Sequence, residues 1–187
     1  MILLASKSPR RQELLSGLGI EYQIVNVDCD ESYPQNLKEA DIPMYLAKLK
    51  ATNYQHQLQP DDILITADTI VWLDNTMLGK PKNQEEAKKM LQLLSGKTHQ
   101  VFTAVCLTTK TNQIEFVDRT DVTFRKIKKS EIEYYVANYN TLDKAGAYGI
   151  QDWLGYALCS NINGSFYNVM GLPTQRLYEE LSKLKKN

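Results

Sequence analysis

The sequence predicts an α/β protein in which a β-sheet is flanked by helices. Apolar runs of strand length alternate along the 187 residues with segments whose apolar residues recur at helical spacing. Several of the helical segments also have a capping residue before them and a glycine after them. This alternation is typical of a sheet covered by helices. The length allows one compact domain or two small lobes.

The first half of the chain opens on a strand followed directly by a helix. Ser8 and Pro9 are a typical N-cap and first helical residue, and Gly19 is a typical stop. In the next helix Ala47, Lys50 and Ala51 share one face. The predicted elements are strands at 1–5, 22–27 and 63–73 and helices at 9–18 and 43–57.

The second half adds a hairpin and three helices. Asn83 and Glu86 have the spacing of a capping box, and Gly96 follows the helix that they begin. Ser130 and Glu133 are predicted to cap a shorter helix. The predicted elements are helices at 83–94, 130–138 and from 173, paired strands at 100–109 and 114–125, and a last strand at 156–162.

Composition excludes several classes of partner. Lys plus Arg and Asp plus Glu both number 22, so no global charge attracts nucleic acid or an anionic membrane. No apolar run approaches the roughly 20 residues of a membrane span. The apolar start is too short for the roughly 7–15-residue core of a signal peptide. A cytoplasmic protein without nucleic-acid or membrane partners is expected.

The cysteines and histidines restrict the chemistry. Cys29, Cys106 and Cys159 are widely spaced and odd in number, which predicts reduced thiols and neither a disulfide framework nor a zinc site. With only His56 and His99 present, a multi-histidine metal centre is excluded.

A cluster of anion-binding side chains lies between the first strand and the first helix. Ser6, Ser8, Arg10 and Arg11 fall within six residues, at the positive end of the helix dipole. Arginine forms forked hydrogen bonds that suit phosphate oxygens. The alternative is a capped helix with a solvated basic start.

Asp68 interrupts an otherwise apolar strand. A buried carboxylate requires a partner or a metal ion because its desolvation is costly. Glu31, after the second strand, offers a second carboxylate for a cation such as Mg²⁺. The alternatives are an aspartate satisfied by backbone donors and a solvated acidic loop.

Two lysines and a glutamine complete the candidate set. Lys50 and Lys80 are candidates for neutralising phosphate charge, although a helix lysine often only extends into water. Lys80 stands in a Gly-Pro turn that restricts its backbone. Gln151 offers a donor and an acceptor suited to the edge of a nucleobase, or belongs to an ordinary turn. No P-loop, GxGxxG or GxSxG motif is present.

Several short sequence motifs of the chain, taken together, resemble those of the Maf family of nucleotide pyrophosphatases. The resemblance covers residues 3–177 and rests on motifs that occur in the family's order: ASxSPRR from Ala5, the pair Asp30-Glu31, Lys50-Ala51, ADTIV from Ala67, GKP from Gly79, SGKTHxV from Ser95, DKAGxYGIQ from Asp143, and Gly164-Ser165 through Val169-x-Gly171-Leu172-Pro173. Asp152 and Trp153 follow where small residues are commoner in the family.

The resemblance implies one domain with an elongated mixed sheet, two lobes around a cleft, and a fold similar to that of inosine triphosphate pyrophosphatases. The boundary between the lobes is not fixed by the sequence. It further implies a homodimer and cleavage of a nucleoside triphosphate to the monophosphate and pyrophosphate with Mg²⁺ or Mn²⁺.

The resemblance also implies roles for individual residues. Asp68 is the candidate base, Glu31 and Asp68 are the candidate metal ligands, and Lys50 and Lys80 complete the catalytic set. Ser6, Ser8, Arg10 and Arg11 are the candidate ligands of the triphosphate. Arg11, Thr69, Lys80 and Gln151 resemble the dTTP/UTP subgroup.

Two other functions remain open at this stage. A purine triphosphate pyrophosphatase of the inosine or xanthosine type performs the same reaction on different bases. A nucleotide-sensing regulator of cell division would bind without hydrolysis, although such a sensor has no need of groups that activate water.

Overall fold

A computed structural model of the chain describes residues 1–184, and these contain seven strands and seven α-helices. The strands are β1 (Ile2–Leu4), β2 (Gln23–Ile24), β3 (Ile63–Leu73), β4 (Thr76–Leu78), β5 (Thr98–Thr108), β6 (Gln113–Phe124) and β7 (Cys159–Asn163). The helices are α1 (Pro9–Gly17), α2 (Asp41–Gln55), α3 (Gln84–Leu94), α4 (Lys129–Asn138), α5 (Trp153–Leu158), α6 (Phe166–Met170) and α7 (Thr174–Leu184). Within residues 1–184, none of the helices has the length and apolar character that a membrane span requires.

The strands form one mixed sheet in the order β2-β1-β3-β5-β6-β7, with β4 paired to β3. Strand β1 is parallel to both β2 and β3, whereas β4 is antiparallel to β3 and β7 is antiparallel to β6. The prediction of a mixed sheet with helices is therefore confirmed. Strand β3 has the predicted bounds, because the polar residues at its centre do not interrupt the extended backbone.

The chain divides into two compact units. Among the described residues, the first unit comprises 1–68, 103–118 and 171–184, and the second comprises 69–102 and 119–170. The division falls between Asp68 and Thr69, inside β3. The sequence did not reveal this boundary, because an apolar strand carries no linker composition at such a point.

Two predictions of local structure are wrong. The strand predicted at 156–162 is present as β7, but it begins only at Cys159, because residues 156–158 belong to helix α5. Helix α4 begins at Lys129, and its first turn is closed by the Glu131 carboxylate, which accepts from the Lys128 N–H over 2.8 Å. The pair Ser130 and Glu133 therefore does not cap this helix.

A buried histidine lies within an aromatic cluster of the second unit. His99 Nε2 lies 2.6 Å from the Tyr148 hydroxyl, and the imidazole contacts the ring of Phe124 edge-on at 5.0 Å. His99 Nδ1 is buried and has no hydrogen-bond partner among residues 1–184. Burial lowers the pKa of His99 from 6.5 to about 4, and the nearby Asp121 carboxylate opposes this shift. The imidazole is therefore neutral in the folded protein at neutral pH.

We expect this histidine to make the second unit sensitive to acid. As the pH falls below 6.5, the unfolded chain protonates His99 while the folded chain does not, until a pH of about 4. His99 therefore leaves the free energy of unfolding unchanged above pH 6.5. Below that pH its protonation in the unfolded chain lowers the free energy of unfolding, by about 3 kcal/mol at pH 4. Urea unfolding across this range measures the loss, and His99→Gln, which keeps a polar partner for Tyr148, is expected to lack this part of the slope. Equal slopes in both proteins would contradict the assignment.

Candidate active site

Helix α2 packs against strand β5 through small side chains of the first unit. Ala47 and Ala51 are completely buried, and they form a cluster with Ala104 of β5. The Thr66 hydroxyl donates to the Ala47 carbonyl over 2.8 Å, which also ties the helix to strand β3. Lys50 lies three residues after Ala47 in the helix, and Asp68 lies two residues after Thr66 in the strand. These spacings match the periods of a helix and a strand, so the two side chains lie on the same side as the Thr66–Ala47 contact.

Lys50 joins the two predicted carboxylates. Its ammonium donates to Asp68 Oδ1 over 2.7 Å and lies 2.9 Å from Glu31 Oε1. The side chains of Lys50 and Asp68 are only 12% and 14% exposed, whereas that of Glu31 is 54% exposed. The structure thus brings together three of the four predicted catalytic residues. The single positive charge of this ammonium offsets one of the two negative charges of the carboxylates.

Cys29 lies beside this cluster, which the sequence did not suggest. Burial raises the pKa of the Cys29 thiol, and the charge of Lys50 lowers it in part. The carboxylates of Glu31, Asp28 and Asp68 raise it further. The position of Cys29, two residues before the candidate metal ligand Glu31, is the one sequence signal for this placement. Its wide separation from the other cysteines indicates only a reduced thiol.

Arg11 binds the backbone of the first unit. Its Nε donates to the Gly171 carbonyl over 2.8 Å, and its Nη1 donates to the Ala67 carbonyl over 3.0 Å. Burial lowers the pKa of this guanidinium, whereas the charge of Asp68 raises it. The guanidinium therefore holds the peptide that precedes Asp68, and its predicted contact with phosphate stays a prediction.

The turn between β1 and α1 has the predicted form but a different capping bond. Ser8 occupies the N-cap of α1, yet its hydroxyl makes no capping hydrogen bond. Instead the buried Ser6 hydroxyl accepts from the Ser8 N–H over 3.2 Å and from Arg11 Nη1 over 3.5 Å. Arg10 is half-buried at the first turn of the helix. Their binding of a triphosphate stays a prediction.

The remaining predicted residues belong to the second unit. Lys80 is exposed and Gln151 is half-buried, with its Oε1 buried and without a hydrogen-bond partner among residues 1–184. Thr69 is half-buried and follows Asp68 in β3, so its side chain points to the opposite face of the strand. The roles of these three residues stay predictions.

The donor set of the first unit suits a hard divalent cation that also binds substrate. Among residues 1–184, no group of three or more His, Cys, Asp or Glu side chains is arranged to hold a metal ion. Two carboxylates that converge on one ammonium are nevertheless compatible with Mg²⁺, which takes one or two carboxylates together with substrate phosphates and water. Asp68 and Glu31 are the residues that would hold such an ion.

The mixed sheet and its helices define an α/β protein, which carries this charged cluster. The chain belongs to the Maf family, since the family model described as Maf-like protein matches residues 1–184. It is 56% identical over 184 residues to a dTTP/UTP pyrophosphatase of Bacteroides thetaiotaomicron and 54% identical over 184 residues to one of Phocaeicola vulgatus. Each alignment covers 98% of this chain and 95% of the relative.

A third relative, a dTTP/UTP pyrophosphatase of Flavobacterium johnsoniae, is 46% identical over 183 residues, with 98% of this chain and 94% of the relative covered. The similarity to solved structures is more distant. The Ham1 protein of Staphylococcus aureus is 13% identical, with a TM-score of 0.49, 66% of this chain and 71% of that chain covered. A similarity of that size does not bear on function.

Proposed function

We propose that this chain hydrolyses dTTP and UTP to the nucleoside monophosphate and pyrophosphate. The observation that carries the proposal is the ion-pair cluster in which Lys50 binds both Asp68 and Glu31. The proposal is supported by relatives named dTTP/UTP pyrophosphatase, which align with nearly the whole chain. Water attacks the α-phosphorus, the bond to the bridging oxygen of the β-phosphate breaks, and pyrophosphate leaves.

Asp68 acts as the base that accepts a proton from the attacking water. The carboxylate is mostly buried and is fixed on a strand rather than on a loop, which restricts its orientation. The contact between Arg11 and the Ala67 carbonyl holds the preceding peptide. A base that is positioned in this way contributes roughly 10²–10⁴-fold to the rate.

Glu31 and Asp68 are the residues that would hold a divalent cation, Mg²⁺ or Mn²⁺. Such an ion would withdraw charge from the phosphate oxygens and make bound water more acidic. The Lys50 ammonium lies between the same two carboxylates and supplies the positive charge that is available to the phosphate oxygens from α2.

The positive charges at the start of α1 and at Lys80 bind the triphosphate. Arg10 and Arg11 follow Ser6 and Ser8 at the positive end of the helix dipole. These groups offset the charge that builds up on the departing pyrophosphate, which is the main requirement in phosphoryl chemistry.

Gln151 and Thr69 select the pyrimidine base. The carboxamide of Gln151 has a donor and an acceptor that match the O4 and N3–H of uracil or thymine. We further propose that the protein is cytoplasmic and forms a homodimer, which light scattering coupled to size-exclusion chromatography measures directly.

A panel of triphosphates tests the proposed reaction. We expect pyrophosphate release from dTTP and UTP at rates at least about tenfold above those from ITP, XTP, ATP and GTP, because a base reader of this kind rejects mismatched hydrogen-bond patterns. EDTA is expected to abolish the release, and added Mg²⁺ or Mn²⁺ to restore it. Detection of the monophosphate distinguishes this cleavage from release of a single phosphate.

Different outcomes point to different errors. A preference for ITP and XTP would contradict the pyrimidine assignment while keeping the reaction. Nucleotide binding without any product would indicate a sensor. Full activity in EDTA would remove the divalent ion from the proposal.

A further inference from the structure

Residues 149–152 of the second unit form a tight turn that presents Gln151. The N–H of Asp152 donates to the Gly149 carbonyl over 3.1 Å, which is the hydrogen bond that closes a β-turn. Gln151 is the third residue of this turn, and its Oε1 is buried without a partner among residues 1–184. The turn therefore sets the position from which the Gln151 side chain extends, and its Oε1 is not occupied by a protein donor among residues 1–184.

One hydroxyl binds both ends of this turn. Tyr135 of α4 is completely buried, and its OH donates to Asp152 Oδ2 over 2.7 Å. The same oxygen accepts from the Gly149 N–H over 3.0 Å. The phenol therefore connects the first and the last residue of the turn on either side of Gln151.

The surroundings of Asp152 accommodate a partly buried carboxylate, which is 18% exposed. Lys144 is 8% exposed, and its ammonium lies 3.8 Å from Asp152 Oδ2 and 2.9 Å from Asp143 Oδ1. A Cβ at Gly149 would lie 2.6 Å from Asp152 Oδ2, so only glycine admits the carboxylate at this position. The phenol is thus hydrogen-bonded to both ends of the turn, and the lysine adds an ion pair to Asp152.

We propose that Tyr135 and Asp152 are positioning residues that hold the turn from which Gln151 reaches a uracil or thymine base. A glutamine amide pairs with uracil in one orientation, accepting from N3–H and donating to O4. Turned by 180°, the same amide pairs with cytosine, which offers an acceptor at N3 and donors at N4. A turn held in one place lets the side chain meet the base in one geometry, whereas a loosened turn gives the side chain room to adjust to either base.

This inference rests on the proposed function, in which Gln151 contacts the base. The test is the ratio of kcat/KM for UTP to kcat/KM for CTP in the full-length protein. Tyr135→Phe removes only the hydroxyl, and we expect the ratio to fall about tenfold, because loosened positioning weakens discrimination more than chemistry. The change is expected in KM, with kcat for UTP within about threefold of the original value.

Three further variants separate positioning from general stability. Tyr139→Phe alters a tyrosine that stacks on Tyr135 at 5.0 Å and is expected to keep the ratio unchanged. Asp152→Asn retains an acceptor for the phenol and is expected to preserve most of the ratio, whereas Asp152→Ala is expected to lose it. Thermal unfolding of each variant reports stability independently of the ratio.

A double-mutant cycle identifies the residue through which Tyr135 acts. In a Gln151→Ala background, we expect Tyr135→Phe to cause no further loss of discrimination. An unchanged ratio in Tyr135→Phe, or an equal additional loss in the Gln151→Ala background, would overturn the positioning role. Failure of the original protein to hydrolyse UTP or dTTP would overturn the proposed function itself, and that result precedes any substitution.

Discussion

Asp68→Asn is expected to lower kcat by about 10³-fold, equivalent to ~4 kcal/mol in the activation free energy, while the protein remains folded. The amide has the shape of the carboxylate and can still accept from the Lys50 ammonium, which also keeps Glu31 as a partner. It can neither accept the proton of water nor supply a negative charge to a cation. Steady-state pyrophosphate release, together with circular dichroism, measures both parts of the prediction.

Asp62→Asn provides a matched control for this substitution. Asp62 is also largely buried in the first unit, where it accepts from the Gln59 N–H over 2.9 Å and lies 3.5 Å from the N-terminal ammonium. We expect this variant to lose some stability and to keep kcat. Near-normal turnover in Asp68→Asn would remove that residue from the role of base.

Lys50→Met is expected to have two opposite effects. Hydrolysis falls about 10²-fold or more, because a charge that neutralises the phosphates is lost. Binding of Mn²⁺ to the protein without nucleotide tightens about tenfold or more, because the carboxylates of Asp68 and Glu31 lose the cation that lies between them. Isothermal titration calorimetry measures the second effect independently of activity.

The same helix supplies the control for Lys50. Lys48 lies two residues earlier and pairs with Glu115 at 2.8 Å on a more exposed part of the surface. Lys48→Met is expected to change neither Mn²⁺ binding nor hydrolysis, since exposed pairs of this kind contribute little. Unchanged or weaker Mn²⁺ binding in Lys50→Met would show that its ammonium does not compete with the ion.

The sequence predicted those elements whose signals are local. Strand β3 was predicted with its observed bounds because its apolar residues continue on both sides of Asp68. The start of α3 was predicted because Asn83 caps it, accepting from the Glu86 N–H over 2.9 Å. Helix α5 was missed since Gly155 lowers helix propensity and six residues are too few to distinguish a helical period from a strand.

The candidate site was predicted as a set of residues but not as a geometry. The sequence predicts Asp68 because it interrupts an apolar strand, Glu31 because it lies in an acidic loop, and Lys50 because it shares a helix face with alanines. Their pairing through one ammonium was not, since 18 residues separate Lys50 from Asp68. The contact of Arg11 with Gly171 spans 160 residues, and no local pattern reports it.

The hydrogen bonds at the turn that carries Gln151 also depend on residues that are distant in sequence. Tyr135 and Asp152 are 17 residues apart and had no role assigned to them, because a tyrosine on a helix usually indicates core packing. Asp152 was noted only as a departure from the family's small residues. Its hydrogen bond with Tyr135 depends on the tertiary fold, which brings the two side chains together.

The alanines between α2 and β5 affect how this enzyme tolerates mutation. Ala47 and Ala51 are completely buried in a cluster with Ala104, so a larger side chain at either position moves the helix away from the sheet. The helix carries Lys50, which would then no longer reach Asp68. Substitutions at these two positions would therefore appear in a functional screen as inactive proteins, although neither residue contacts a nucleotide. Ala47 and Ala51 would be among the most sensitive positions of such a screen.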